Sequence, residues 1–392
     1  MPTFIQPTTQ VHLNNAKTAA PKYMNDFMDQ TMRKHSLLNM MKEYGMIEYN
    51  AGDAATIYQI KVREHAVRTK VDTTRLTFEN SDLFEQCEVD VRAYEASDIL
   101  TEEQYKKNQG EGRLINLMDA KMKGMVSTLW RRMNEYLYHD GDLAAYLDGF
   151  RGLESCLADD GATVVGDRVA APSDTYAGLS TALGNFGGTW STDLASADQY
   201  NTTLANDWPN GKGSNGSYDA NSPLLINWSS TAWGTSSNLW DDNLEIVLRE
   251  AQAIQKIRCG DINAPIFFIM PSMMYTKAEN FYSQRHRHYA PFGGEQGYSE
   301  QNLMVDGVVL RVDYGVPANT VYGVCPDHIE AFFFPPMNRG GSGAEVGDEA
   351  FIDAFGPTWD EASGAYLMRA DVYGNFRMYP KYLVKMKNYA SA

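Results

Sequence analysis

Residues 101–141 read TEEQYKKNQGEGRLINLMDAKMKGMVSTLWRRMNEYLYHDG, and their spacing predicts the longest helix of the chain. Thr101 with Gln104 three residues on forms a capping box, in which each side chain answers an orphan backbone N–H of the other residue. Glu102 and Glu103 fall in the first turn, where the helix dipole favours negative charge. Beyond the cap, Leu114, Leu117, Met118, Met122, Met125, Leu129, Met133 and Leu137 recur at three- and four-residue steps. That period draws one apolar stripe down the helix, and a stripe so rich in Met reads as core rather than as a cofactor box. Gly110, Gly112 and Gly124 weaken the helix by about 1 kcal/mol each relative to Ala. HDGD ends it near Gly141.

Upstream of the helix the pattern is β-branched and aromatic: ATIYQIKV at 55–62, RTKVDTTRLTF at 68–78 and LFEQCEVDVRAY at 83–94. These runs predict strands flanking a long two-stranded excursion. Its middle carries Lys61, Arg63, His65, Arg68, Lys70 and Arg75 against Glu64 and Asp72. A hairpin with no continuous apolar face and a local basic excess is expected to project, either into solvent or onto an acidic partner. Residues 1–49 show little apolar spacing until Tyr23, after which Met24, Phe27, Met28, Met32, Leu37, Leu38 and Met41 give one sticky face. Such a segment reads as an arm that packs on something else, its own body or a neighbour.

Downstream, residues 158–237 are rich in Gly, Ser, Asn, Asp and Thr, with Trp190, Trp208, Trp228 and Trp233 spaced through them. We expect an irregular surface region with short strands there, pinned to the body by its tryptophans. Asp241 or Asp242 then caps a helix whose Leu244, Val247, Leu248, Ala251 and Ile254 share a face, with Gly260 where a left-handed residue ends it. APIFFIM at 264–270 reads as a buried strand, and Pro271 with Ser272 opens a further helix through Met274, Ala278 and Phe281. In MVDGVVLRV at 304–312, Asp306-Gly307 marks a tight hairpin. TVYGVC at 320–325, HIEAFFF at 328–334 and the alternating tail at 365–389 complete a chain of α+β class.

The 392 residues are 43% hydrophobic and 21% charged, which excludes a disordered chain, and no stretch approaches the ~20 apolar residues that a membrane span needs. A formal net charge of −16 argues against a protein that coats nucleic acid through a basic face. Cys87, Cys156, Cys259 and Cys325 are widely scattered without a C-x-x-C pair, and read as reduced core cysteines. His286-Arg287-His288 sits in an exposed basic run rather than among carboxylates, and the other histidines, His328 included, are isolated in sequence. G-x-S-x-G is absent, Ser155 lacks the glycines of a nucleophile elbow, and RGGSGAEVG at 339–347 lacks the Lys-Ser/Thr of a phosphate loop. The adjacent acidic pairs, Asp159-Asp160 and Asp241-Asp242, read as solvated loops or caps. No catalytic, cofactor or metal residues are assigned, and an enzyme is not expected.

An arm, a projecting basic hairpin, a long amphipathic helix, an α/β body and a returning set of strands form an order that resembles the Hong Kong 97-type major capsid protein of tailed phages. The likeness rests on order and local pattern over nearly the whole chain. It implies an N-terminal arm at 1–49, an extended loop at 50–86, and a peripheral domain with the spine helix at 87–150, completed by 351–392. It implies an axial domain at 151–350 as well, entered through RGLES at 151–155, with residues 158–237 as a surface insertion. By the same resemblance the loop residues Lys61, Arg63, Arg68, Lys70 and Arg75 and the arm residues Met24, Phe27 and Met28 would touch neighbouring subunits. Leu114, Met118, Met125, Leu129 and Met133 would be spine-helix core. Implied partners are copies of the chain in hexamers and pentamers, packaged double-stranded DNA without sequence-specific contacts, a portal protein and decoration proteins. No long charged helical stretch stands at the N-terminus, which implies a separate scaffolding protein, and Met1 favours that over a cleaved precursor. The expected location is the virion, assembled in the host cytoplasm. The alternatives are an encapsulin-like nanocompartment shell and, further off, a loop-rich hydrolase. Lys61 or Lys70 would be the donor of any isopeptide cross-link, though the sequence offers no matching acceptor.

Overall fold

In a computed structural model, which describes residues 36–49, 55–61, 84–107, 111–143, 149–165, 168–182, 221–235, 237–261, 263–285, 303–305, 308–334, 352–361 and 364–389, the long helix starts at its capping box. Thr101 N–H donates to Gln104 Oε1 and Gln104 N–H to Thr101 Oγ1, both at 3.4 Å. Helix is described over Glu102–Lys107 and over Glu111–Tyr136.

In chain order the elements are α1 (Ser36–Glu43), β1 (Ile47–Tyr49), β2 (Ala55–Lys61), β3 (Phe84–Asp90), β4 (Arg92–Thr101), α2 (Glu102–Lys107) and α3 (Glu111–Tyr136). Then follow β5 (Thr163–Val165), β6 (Arg168–Ala170), β7 (Thr175–Tyr176), β8 (Leu179–Ser180), β9 (Leu224–Asn227), α4 (Trp240–Cys259), β10 (Phe267–Met270) and α5 (Ser272–Arg285). The last are β11 (Leu303–Val305), β12 (Val308–Val312), β13 (Thr320–Val324), β14 (Ile329–Phe333), β15 (Asp353–Asp360), β16 (Ala365–Met378) and β17 (Val384–Lys387).

Two sheets organise these elements. An eight-stranded mixed sheet runs β11-β12-β10-β13-β17-β9-β6-β5, and α4 and α5 cover one of its faces through a core of Leu244, Val247, Leu248, Met270, Met274 and Met386. A five-stranded sheet is built on β16, whose residues pair with β4, β14 and β15, with β1 parallel to β14. Helix α3 lies against β4, β15 and β16, and its stripe is partly buried at Met122 and buried at Met125, Leu129 and Met133. On either side of Asp306-Gly307, which lie outside the described residues, β11 and β12 pair antiparallel as the hairpin reading expects, in register from Leu303↔Leu310 to Val305↔Val308. Gly260 ends α4 at φ +70°, as its position in sequence predicts.

Residues 36–49 pack on the chain's own body, one of the two alternatives the sequence allows: Leu37, Leu38, Met40 and Met41 are fully buried in the main core and Met46 carbonyl accepts from Ala331 N–H at 2.8 Å. Four apolar residues in one short helix suffice to bury it once a β-strand follows to dock it. Within 158–237, expected to be irregular surface with short strands, Leu224–Asn227 is a strand as expected but a fully buried one, between β17 and β6. A four-residue apolar run carries no periodicity, so its Gly- and Ser-rich flanks hid it. The pinning role given to the tryptophans holds for Trp228 and Trp233, whose indole N–H groups donate to Asn319 and Asn227 carbonyls at 3.0 and 2.9 Å. Trp190 and Trp208 lie outside the described residues.

Candidate functional site

The ribbon of β2 and β3 pairs from Ala55↔Asp90 to Lys61↔Phe84. Its root is not free: Tyr58, Cys87 and Val89 alternate onto a buried face, contrary to the expectation of a hairpin without one. Tyr58 hydroxyl donates to Met378 carbonyl at 3.3 Å and its ring meets Tyr379 edge-on at 5.2 Å, which staples the ribbon to the end of β16. The opposite face leaves Ile57 and Phe84 exposed, at 58% and 56%. Lys61 stands exposed at the end of β2. Arg63, Arg68, Lys70 and Arg75 of the loop, and Met24, Phe27 and Met28 of the arm, lie outside the described residues. Of the spine-helix set, Met125, Leu129 and Met133 are buried, while Leu114 and Met118 lie on α3 with their side chains outside the description. On the outer face of the five-stranded sheet, Ile99 and Leu367 stand directly opposite each other and exposed, with Tyr373 farther along β16.

The RGLES step packs closely at the end of the spine helix. Leu153 N–H donates to Leu137 carbonyl at 2.6 Å, and a Cβ on Gly152 would strike the carbonyls of Tyr136, Leu137 and His139. Two residues on, Glu154 joins a buried ion cluster. Lys385 Nζ lies 2.5 Å from Glu154 Oε2, 3.0 Å from Asp159 Oδ1 and 3.2 Å from Leu157 carbonyl, while Lys387 Nζ reaches Asp159 Oδ2 at 2.8 Å. Tyr322 hydroxyl donates to Glu154 Oε1. Burial pushes the Asp159 carboxyl up, but Lys385 and then Lys387 outweigh it and hold it below the usual range. Burial, and then the neighbouring Glu154, push the Tyr322 hydroxyl far up.

The structure also brings together what the sequence scatters. Cys259 ends α4, Cys325 follows β13, and His328 closes the one-turn helix Pro326–His328 that leads into β14. A ligand atom from each lies within 4.8 Å of the other two. A hydrogen bond from the Cys325 thiol, assisted by His328, brings the Cys259 thiol down to about 6 against the upward push of burial, and the same bond pushes Cys325 up. His328 stacks on Tyr382, 3.6 Å between ring centres and 14° between planes, and borders a cavity of about 270 Å³ with Tyr379, Lys381 and the β2 residues Gln59 and Lys61. The spacing Cys325-x-x-His328 was the one signal in sequence. The third member comes from a distant helix end.

No family model matches the sequence, and no curated protein matches it. Solved structures do match in shape. A chain of the cyanophage A-1(L) capsid asymmetric unit superimposes with a TM-score of 0.56 at 14% identity, over 94% of this chain and 95% of that one. The capsid of the empty GTA particle does so at 0.52 and 8% identity, over 93% and 95%. The SrpI encapsulin complex from Synechococcus elongatus PCC 7942 stands at 0.47 and 10% identity, over 95% and 94%. The chain has the α+β fold of a capsid subunit, as the resemblance to the Hong Kong 97-type family implied.

Proposed function

We propose that this chain is a major capsid protein, a shell subunit that tiles in hexamers and pentamers into the icosahedral head of a tailed phage and encloses double-stranded DNA. The observation that carries this reading is the end-to-end likeness to the cyanophage capsid chain, which spans nearly all of both chains. The anchored ribbon supports it. Its root is fixed to β16 while Ile57, Phe84 and Lys61 face outward, an arrangement suited to covering a second copy. The loop beyond, with Arg63, Arg68, Lys70 and Arg75, would lie on acidic surface of that copy, and the arm would bury Met24, Phe27 and Met28 against another. Each contact is modest, and closed symmetry multiplies it. The arm, loop, peripheral and axial divisions, a scaffolding partner, a portal and decoration proteins belong to the same proposal.

Electron microscopy of the protein expressed with its neighbouring gene products tests it. Closed icosahedral shells with nuclease-protected DNA are expected, whereas shells filled with an enzyme cargo, or no shells at all, would overturn the reading. Reversing charge at Arg68 and Lys70 together is expected to leave a folded, soluble subunit that forms no closed shells.

A further inference from the structure

We infer that Cys259, Cys325 and His328 form a binding site for a soft divalent metal ion such as zinc, one that ties helix α4 to the strap joining the two sheets. Three donors of the types zinc prefers already converge within 4.8 Å. A tetrahedral ion with Zn–S near 2.3 Å and Zn–N near 2.0 Å sets its donors roughly 3.5–3.8 Å apart, so the cluster closes on an ion by small side-chain rotations. Local structure prepares two of the ligands. Pro326 opens the single 3₁₀ turn and His328 N–H donates to Cys325 carbonyl at 3.1 Å, and residues three apart in such a turn eclipse one another, which puts thiol and imidazole on one side. The Tyr382 ring holds the imidazole plane and Tyr379 meets it edge-on at 6.1 Å, the kind of support that orients a ligating histidine. Cys325 is fully buried, while Cys259 and His328 are partly open and His328 borders the cavity, which gives an ion a way in and a water its place as fourth ligand.

The placement gives the ion a role. β13 belongs to the eight-stranded sheet and β14 to the five-stranded sheet, so Cys325 and His328 flank the chain's crossing between them. Metal bound there fastens the C-terminus of α4 to that crossing. Binding releases the protons of both thiols to solvent and raises the unfolding midpoint, because the three donors are not gathered in the unfolded chain. The inference does not depend on the shell proposal, since it is measured on the free subunit.

The test uses the full chain, reduced and stripped with chelator, then titrated with zinc against a chromophoric competitor and separately with cobalt. One zinc per chain is expected, with thiolate-to-cobalt charge-transfer absorption, in the wild type and in C87S. C259S and H328A are expected to bind about 100-fold more weakly or worse, since loss of an outer partner alone costs about 10–100-fold. Should those variants misfold by circular dichroism, the wild type still decides: zinc must protect Cys259, the partly open thiol, from iodoacetamide. Unchanged zinc affinity in C259S, a cobalt spectrum without thiolate bands, absence of protection, or a Cys259–Cys325 disulfide that excludes zinc would each overturn the inference.

Discussion

Replacing Lys385 with Met removes the cation from the buried ion cluster and leaves its carboxylates in place. The Lys385 side chain is 3% exposed, Asp159 is 7% and Glu154 is 20%. Asp159 keeps Lys387, but among the described residues Glu154 keeps only the Tyr322 hydroxyl as a hydrogen-bond partner. Removing one partner of a buried pair costs about 3–5 kcal/mol, because the remaining charge is uncompensated. The partial opening at Glu154 places this case near the lower end, about 3 kcal/mol, or roughly a 150-fold fall in the folded-to-unfolded ratio. Urea unfolding of the unassembled subunit, followed by tryptophan fluorescence, is the assay. K385M should unfold at a clearly lower midpoint with the same slope, and adding E154Q and D159N should recover most of the loss. A K385M protein within about 1 kcal/mol of the wild type would refute the reasoning, because the cluster would then be solvated rather than buried.

The same cluster sets a pH dependence. Asp159 has a depressed carboxyl in the folded state, so its contribution is fully present above the unfolded value near 3.9 and is lost as pH falls through the lower folded value. Urea midpoints measured downward from pH 6 should therefore hold until about pH 4 and then fall, with a smaller acid-side fall from this site in D159N. Asp313 is a second buried carboxylate: Oδ2 accepts from Tyr138 hydroxyl at 2.8 Å and Leu37 N–H at 3.3 Å, and Oδ1 from Gly315 N–H at 3.0 Å. Asp313→Ala strands donors on α1, just past the end of α3 and in the loop after β12, and should cost about 3 kcal/mol or more and expose residues 36–43 to limited proteolysis. Gly152→Ala drives a methyl into three backbone carbonyls that cannot turn aside, and should lower thermal stability by about 1–3 kcal/mol, read by calorimetry. Met133→Ala, at a fully buried position under the spine helix, should cost about 2–5 kcal/mol on the same instrument.

The parts of the fold legible in sequence are those where period and punctuation agree. The Thr101–Gln104 box, the stripe from Met122 to Leu137, the Gly260 stop and the pairing of β11 with β12 each carry a local cause, and each lies where that cause puts it. What escaped was decided at a distance. Nothing within LLIN tells that Lys385 and Met386 will lie beside it, and β17 reaches that place only after leaving the five-stranded sheet at Met378. The metal-ligand cluster was illegible for the same reason: Cys325 and His328 share a turn, but Cys259 arrives on the end of another helix. The ion cluster escaped because Glu154 and Lys385 look like ordinary surface charges until the strand buries them. Of the proposed contact surface, sequence marked the ribbon correctly as a pair of strands but missed that Tyr58, Cys87 and Val89 anchor it.

β16 comes near the end of the polypeptide, yet β4, β14 and β15 all hydrogen-bond to it, and β17 wedges between β13 and β9 in the other sheet. During translation, which takes roughly 20–80 s for a chain this long at 5–20 residues per second, neither sheet can close until those last strands emerge. For that interval the nascent molecule carries unpaired edges and bare apolar faces in two places at once. Aggregation is therefore most favoured before β16 and β17 have been made, when apolar faces of both sheets stand bare.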